Sequence, residues 1–151
     1  MPIEKDFEEL LRLFNKHKVS YCIVGAFAVA FHAIPRYTKD LDLLVKPDIE
    51  NGKRVIEALK EFGFGSLKLS PEDFAREGHF IQLGYEPVRV DVITSIDGVK
   101  FDCIWKNRKR GAFGNETAYF IGLRELIKNK KASGRKQDLT DLEILQKARR
   151  K

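Results

Sequence analysis

Phe7, Leu10, Leu11 and Phe14 stand at i, i+3, i+4 and i+7, which is one apolar stripe of an amphipathic helix over 4–17. Val19-Ser20-Tyr21-Cys22-Ile23-Val24 follows, a β-branched and aromatic run that ends at Gly25 and reads as a buried strand. Residues 26–34 return to helical spacing, with Phe27, Ala30, Phe31 and Ile34 on one face, and Pro35 closes the element. Leu41-Asp42-Leu43-Leu44-Val45 predicts a second strand, stopped by Pro47. Asp48 is placed to cap a helix that reaches Phe62, with Val55, Ile56, Leu59 and Phe62 facing the core. Gly63 and Gly65 end it.

Residues 79–84 and 88–94 predict two strands joined by a turn around Glu86-Pro87. The segment 97–118 has no usable period; Gly111, Gly114 and Asn115 mark loops or a hairpin within it. Tyr119-Phe120-Ile121 predicts a short last strand, and two helices follow near 123–132 and 137–149, split by Ser133-Gly134. This order predicts an α+β fold: a mixed sheet of about four to five strands, flanking helices and a C-terminal helical pair. With no internal repeat and no linker of low complexity, 1–146 reads as one domain. Within it, 1–121 is the α/β core, 122–146 the C-terminal helices, and 147–151 a basic tail beyond them.

Composition narrows the class. The longest apolar run, 21–34, contains His32 and falls short of the roughly 18 residues a membrane span requires. Glu4, Asp6, Glu8 and Glu9 give the N-terminus the wrong charge for a signal peptide. Cys22 and Cys103 read as reduced thiols. Together these features predict a cytoplasmic protein without a membrane partner. The net charge of +6 is uneven: residues 1–99 hold 13 Lys/Arg against 16 Asp/Glu, residues 100–151 hold 15 against 6. A cationic last third beside a near-neutral body predicts a polyanionic partner such as RNA, or a phosphate-bearing substrate. A solvated cationic helix is the plainer alternative.

The chemistry lies in three carboxylates. Asp40 and Asp42 are two apart on a strand, so they share one face while Leu41, Leu43 and Val45 point the other way. At about 6–7 Å backbone spacing the two repel unless a cation lies between them. Hard divalent ions take such oxygen donors. In Val88-Arg89-Val90-Asp91-Val92 a third carboxylate interrupts an apolar strand, which is expensive unless it is paired or metal-bound. Pairing of Asp91 with Arg89 is the structural alternative. If the strands are neighbours, Asp40, Asp42 and Asp91 converge on one site able to hold two Mg²⁺ ions. Gly25, between a strand and a helix, lets backbone N–H groups approach a phosphate.

Val24-Gly25-Ala26 followed by Arg36-Tyr37-Thr38-Lys39-Asp40-Leu41-Asp42-Leu43 resembles the motif of the DNA-polymerase-β-type nucleotidyltransferases. It is most similar to small members related to AbiEii-type toxins and the minimal nucleotidyltransferases. Asp91 matches their later, lone Asp. Leu126-Ile127-Lys128-Asn129-Lys130 with Gly134-Arg135-Lys136-Gln137-Asp138-Leu139-Thr140-Asp141 is similar to a C-terminal element of the toxin-related group. The chain departs from the family in having Ala26 where Gly or Ser is usual, which removes a hydroxyl that reaches phosphate.

The resemblance implies an enzyme that moves a nucleoside monophosphate from an NTP to an acceptor hydroxyl. Asp40, Asp42 and Asp91 would be the catalytic metal ligands, for two Mg²⁺ with Mn²⁺ as a substitute. Gly25, Ala26, Arg36, Thr38, Lys130 and Arg135 would bind nucleotide or phosphate. For Lys130 and Arg135 the alternative is a solvated basic face with Lys128, Lys131 and Lys136. The acceptor implied is RNA, foremost a tRNA 3′ end, or a protein hydroxyl, in a toxin–antitoxin setting. The competing reading is a nucleotide- or RNA-binding module that keeps the fold without turnover. Phe101 and Trp105, beside Lys106, Arg108, Lys109 and Arg110, read as core anchors or as a platform for an RNA base. His32 reads as a core histidine.

Overall fold

The computed structural model describes residues 5–35, 38–65, 68–85 and 88–150. Six strands form one sheet: β1 (Tyr21–Val24), β2 (Asp40–Val45), β3 (Phe80–Leu83), β4 (Arg89–Ile93), β5 (Lys109–Phe113) and β6 (Glu116–Phe120). Their order is β3-β4-β2-β1-β6-β5. β1 runs antiparallel to β2 and parallel to β6, β2 runs parallel to β4, and antiparallel β3 and β5 form the two edges. All four residues of β1 are buried, as its β-branched and aromatic run predicts for a central strand.

Alternation along the strands builds two cores. On one face Ile23, Leu41, Leu43, Val90 and Val92 pack under α1 (Lys5–Lys16) and α3 (Ile49–Leu59). The predicted stripe Phe7, Leu10, Leu11, Phe14 is the buried side of α1. On the other face Cys22, Val24 and Leu44 pack against α4 (Phe101–Lys106), α5 (Leu123–Ser133) and α6 (Lys136–Arg149). Asn51, buried on α3, donates to the carbonyls of Ser20 and Lys46 and accepts from the Ser20 N–H, tying that helix to the β1 and β2 ends.

Several predicted boundaries move. The 26–34 helix is α2 (Gly25–His32), two residues shorter at its end. The helix expected to reach Phe62 ends at Leu59, and a wide turn, Lys60–Phe64, carries Gly63 at φ +116°. The sheet has six strands rather than four or five, because 97–118 contains α4 and then the β5–β6 hairpin. Gly111, expected in a loop or a hairpin, lies in the β5 strand of the β5–β6 hairpin: the Phe31 ring, stacked on Phe120 at 4.0 Å, fills the space a Cβ would take. α6 continues through Arg149, so Lys147–Arg149 are helical.

Candidate active site

The parallel pairing of β2 with β4 sets Asp42 opposite Asp91 and Asp40 opposite Arg89. On the other side of β2, Asp42 is opposite Val24, the last residue before Gly25. Gly25 has φ +70°, and a Cβ there would collide with the Asp42 carboxylate. Only glycine gives both the turn and the close approach. Asp40, Asp42, Asp91 and Gly25 therefore line one cleft of about 700 Å³, whose far wall includes Lys130 and Arg135. β2 and β4 are thus the neighbouring strands that convergence of the three carboxylates requires.

The electrostatics are those of crowded carboxylates. Burial, the charge of Asp91 and a side-chain hydrogen bond to it push the Asp42 carboxyl up to about 7, with Asp40 adding to the shift. Asp42 therefore keeps its proton to a higher pH than an ordinary carboxyl does. Asp91, 5% exposed, is also gripped by Arg89: Nε donates to Oδ1 at 3.1 Å and a terminal nitrogen to Oδ2 at 3.2 Å. Asp91 thus faces Asp42 across the strand pair and is ion-paired to Arg89 within its own strand.

Three carboxylates against one guanidinium leave excess negative charge made of hard oxygen donors. That donor set fits a divalent cation such as Mg²⁺. Among the described residues, however, no three acidic, His or Cys side chains already converge as a metal cage.

The opposite wall is a buried ion cluster. Lys130, 7% exposed, donates from Nζ to Asp138 at 3.1 Å and is ion-paired to Asp141 at 3.3 Å. Asp138 also accepts from Ser133 Oγ at 2.7 Å and from Arg135 Nε at 2.9 Å. Burial opposes ionisation of Asp138, but these bonds outweigh it and bring the carboxyl down to about 2. Lys130 is therefore not part of a solvated basic face; it locks α5 to α6. Arg135, its side chain 80% exposed, stands at the cleft rim.

The remaining predicted residues lie less centrally. Thr38 Oγ1 is 3.5 Å from the Asp40 carbonyl, at the outer limit of a hydrogen bond, at the entry to β2. Ala26 opens α2 beside Gly25 without lining the cleft. Arg36 falls outside the described residues. His32 is a packing histidine as expected, with Nε2 2.6 Å from the Ile121 carbonyl and its pKa lowered chiefly by burial. Trp105 stacks on Phe101 and lies under the Arg108 guanidinium at 3.7 Å, so its ring is committed to packing.

The cleft also contains residues that sequence reasoning passed over. Phe80 lines it while 59% exposed. Asn129 holds the Asp97 carbonyl at 3.0 Å and with it the loop after β4. Phe80 opens the edge strand β3, where no further strand among the described residues covers it.

The sequence matches no protein-family model and no curated protein. The backbone does match solved structures. A candidate nucleotidyltransferase of Thermotoga maritima superposes with a TM-score of 0.60 at 16% identity, over 95% of this chain and 89% of that one. The lincosamide antibiotic adenylyltransferase LnuA, in its lincomycin-bound form, gives 0.55 at 16% identity, over 95% and 96%. The chain has the nucleotidyltransferase fold.

Proposed function

We propose that the chain is a metal-dependent nucleotidyltransferase that moves a nucleoside monophosphate from an NTP to an acceptor hydroxyl. The observation that carries this reading is the Asp42–Asp91 pair, in register on neighbouring strands, at the mouth of the Gly25 turn. Asp40, Asp42 and Asp91 would hold Mg²⁺, as two ions or with Mn²⁺ in their place. Bound there, the metal would neutralise triphosphate charge and make the acceptor hydroxyl easier to deprotonate. The backbone N–H groups of Gly25 and Ala26 would bind phosphate, favoured by the start of α2. Arg89 fixes the direction of Asp91, and Arg135 would meet the leaving phosphates at the rim. The acceptor oxygen bonds to the α-phosphorus, the bond to the bridging oxygen breaks, and pyrophosphate leaves.

For the acceptor we favour an RNA 3′ end, supported by the 15 cations against 6 acids in residues 100–151. A toxin–antitoxin role and a tRNA substrate rest on the sequence resemblance. A small-molecule hydroxyl is the second reading, favoured by the likeness to LnuA, a structure bound to lincomycin. No helix of the described residues is long and apolar enough to cross a membrane.

The test is a labelling assay: protein, Mg²⁺, each α-labelled NTP and a cell extract, with Asp42→Asn as control. A labelled RNA lost in the variant is the expected result. Labelled protein or small molecules would change the acceptor, and no labelling with any NTP would leave a binding module.

A further inference from the structure

Many surface cations of this chain are matched by a nearby carboxylate. Arg12 pairs with Glu9, Lys16 with Glu61, Lys46 with Asp48, Lys53 with Glu50, and Arg89 with Asp91. Lys5, Lys18, Lys68 and Arg76 are in no ion pair among the described residues, and neither are three cations that line up on α5. Arg124, Lys128 and Lys131 are exposed and stand at i, i+4 and i+7. They share one helix face over about 10 Å. Among the described residues none of them has an ion pair or a side-chain hydrogen bond. Like charges at this spacing repel, so the stripe weakens the isolated helix slightly rather than supporting it.

The stripe has a defined terminus at each end. Beyond Ser133 the chain turns at Gly134, φ +61°, and Arg135 opens onto the cleft of Asp42 and Asp91. At the other end Arg124 lines a second cleft of about 490 Å³, formed where the links into β5 and α5 meet the end of α6. Lys106, Lys109 and Arg149 line that cleft too, likewise without ion pairs among the described residues. The one carboxylate among its lining residues, Glu125, is 3% exposed and engaged by Asn107 at 3.2 Å. Unmatched cations therefore run from this second cleft, along α5, to the rim of the first.

We infer that α5 is a track for the acceptor: a single-stranded RNA backbone lies along Arg124, Lys128 and Lys131. Its 3′ end enters the Asp42 cleft past Arg135, and its upstream phosphates occupy the cleft of Lys106, Lys109 and Arg149. A phosphodiester strand is a line of repeating charges, and a single file of cations is its complement. The inference rests on the nucleotidyl-transfer reading of the Asp42 cleft, which supplies only the direction of the strand.

The test is fluorescence anisotropy with a short single-stranded RNA across a salt series. Wild type is compared with the triple variant Arg124→Glu/Lys128→Glu/Lys131→Glu, and thermal melting checks the fold. All three positions are exposed, so the variant is expected to melt as wild type does. It is expected to lose at least about 10-fold in affinity and to flatten the slope of log K against log salt by about 2, at roughly 0.7 counterions per phosphate. RNA carrying a photoreactive base at its 3′ end should cross-link to peptides of the Asp42 cleft. With the base at its 5′ end it should cross-link near Lys106–Lys109. Equal binding by the variant, no binding by wild type at low salt, or reversed cross-links would overturn the track. Melting shifts with Mn²⁺ and a non-hydrolysable NTP analogue are measured in both proteins. A variant that loses RNA but keeps that shift supports the track. A wild type that shows the track without the shift also supports it, and removes the transfer reading alone.

Discussion

Asp42 and Asp91 occupy the same register position on the parallel strands β2 and β4, and burial together with the neighbouring Asp91 pushes the Asp42 carboxyl up to about 7. The carboxyl's ordinary value is 3.8. The folded chain thus binds the Asp42 proton more tightly than the unfolded chain. The stability it supplies is complete below the unfolded value and is lost as pH rises through the folded one.

Metal-free protein should therefore melt at progressively lower temperature between about pH 4 and pH 7. Asp42→Asn should flatten that dependence and melt several degrees higher at the alkaline end, since roughly 1 kcal/mol moves a domain of this size by about 2–4 °C. The same variant should lose activity by on the order of 100-fold or more, as removal of even an outer partner of a metal ligand costs 10–100-fold. Scanning fluorimetry across pH checks the first part; parallel slopes for the two proteins would refute it.

Gly25→Ala should damage the site rather than the core. Alanine at φ +70° costs about 1–2 kcal/mol, and its Cβ meets the Asp42 carboxylate. The expected outcome is a modest fall in melting temperature with loss of the Mn²⁺-plus-nucleotide shift. Ala26→Gly, one residue on, should retain that shift.

The Lys130 cluster is expected to be structural first. Asp141→Ala leaves a buried ammonium with one fewer carboxylate and should destabilise, though by less than the roughly 3–5 kcal/mol of a fully unpaired buried charge because Asp138 remains. Lys130→Met should also lower the melting temperature, and the double variant should recover part of the loss. Asp138, held down to about 2, contributes stability above its unfolded value of 3.8, and this is lost as pH falls through about 2. Asp138→Asn should accordingly remove part of the acid unfolding limb. A Lys130→Met protein with normal melting and impaired nucleotide binding would assign the lysine to substrate instead.

Phe80→Ala should leave melting nearly unchanged, because the ring is 59% exposed. If a base stacks on it, KM should rise by roughly 10-fold or more with kcat less affected, as such a stack is worth about 1–3 kcal/mol. Steady-state kinetics separates the two constants.

The central part of the fold was legible because local signals agreed there. Tyr21–Val24 and Asp40–Val45 carry β-forming residues bounded by Gly25 and Pro47, and the 2-residue spacing of Asp40 and Asp42 placed them on one face. α4 was not legible: its six residues are too few to show a helical period. β5 was hidden by Gly111, whose small size answers the Phe31 ring rather than a turn. The Lys130 cluster was hidden by the basic residues around it. A signal existed in α6, where Asp138, Asp141, Leu142 and Leu145 stand at i, i+3, i+4 and i+7. Two carboxylates on an apolar stripe require a buried partner.

The most direct measurement is a calorimetric titration of Mn²⁺ in the presence of a non-hydrolysable NTP analogue, in two buffers of different ionisation enthalpy. Wild type should bind saturably and release the proton held by Asp42, and Asp42→Asn should do neither. Equal binding by the variant, or no binding by wild type, would contradict the account of this cleft as the site of nucleotidyl transfer.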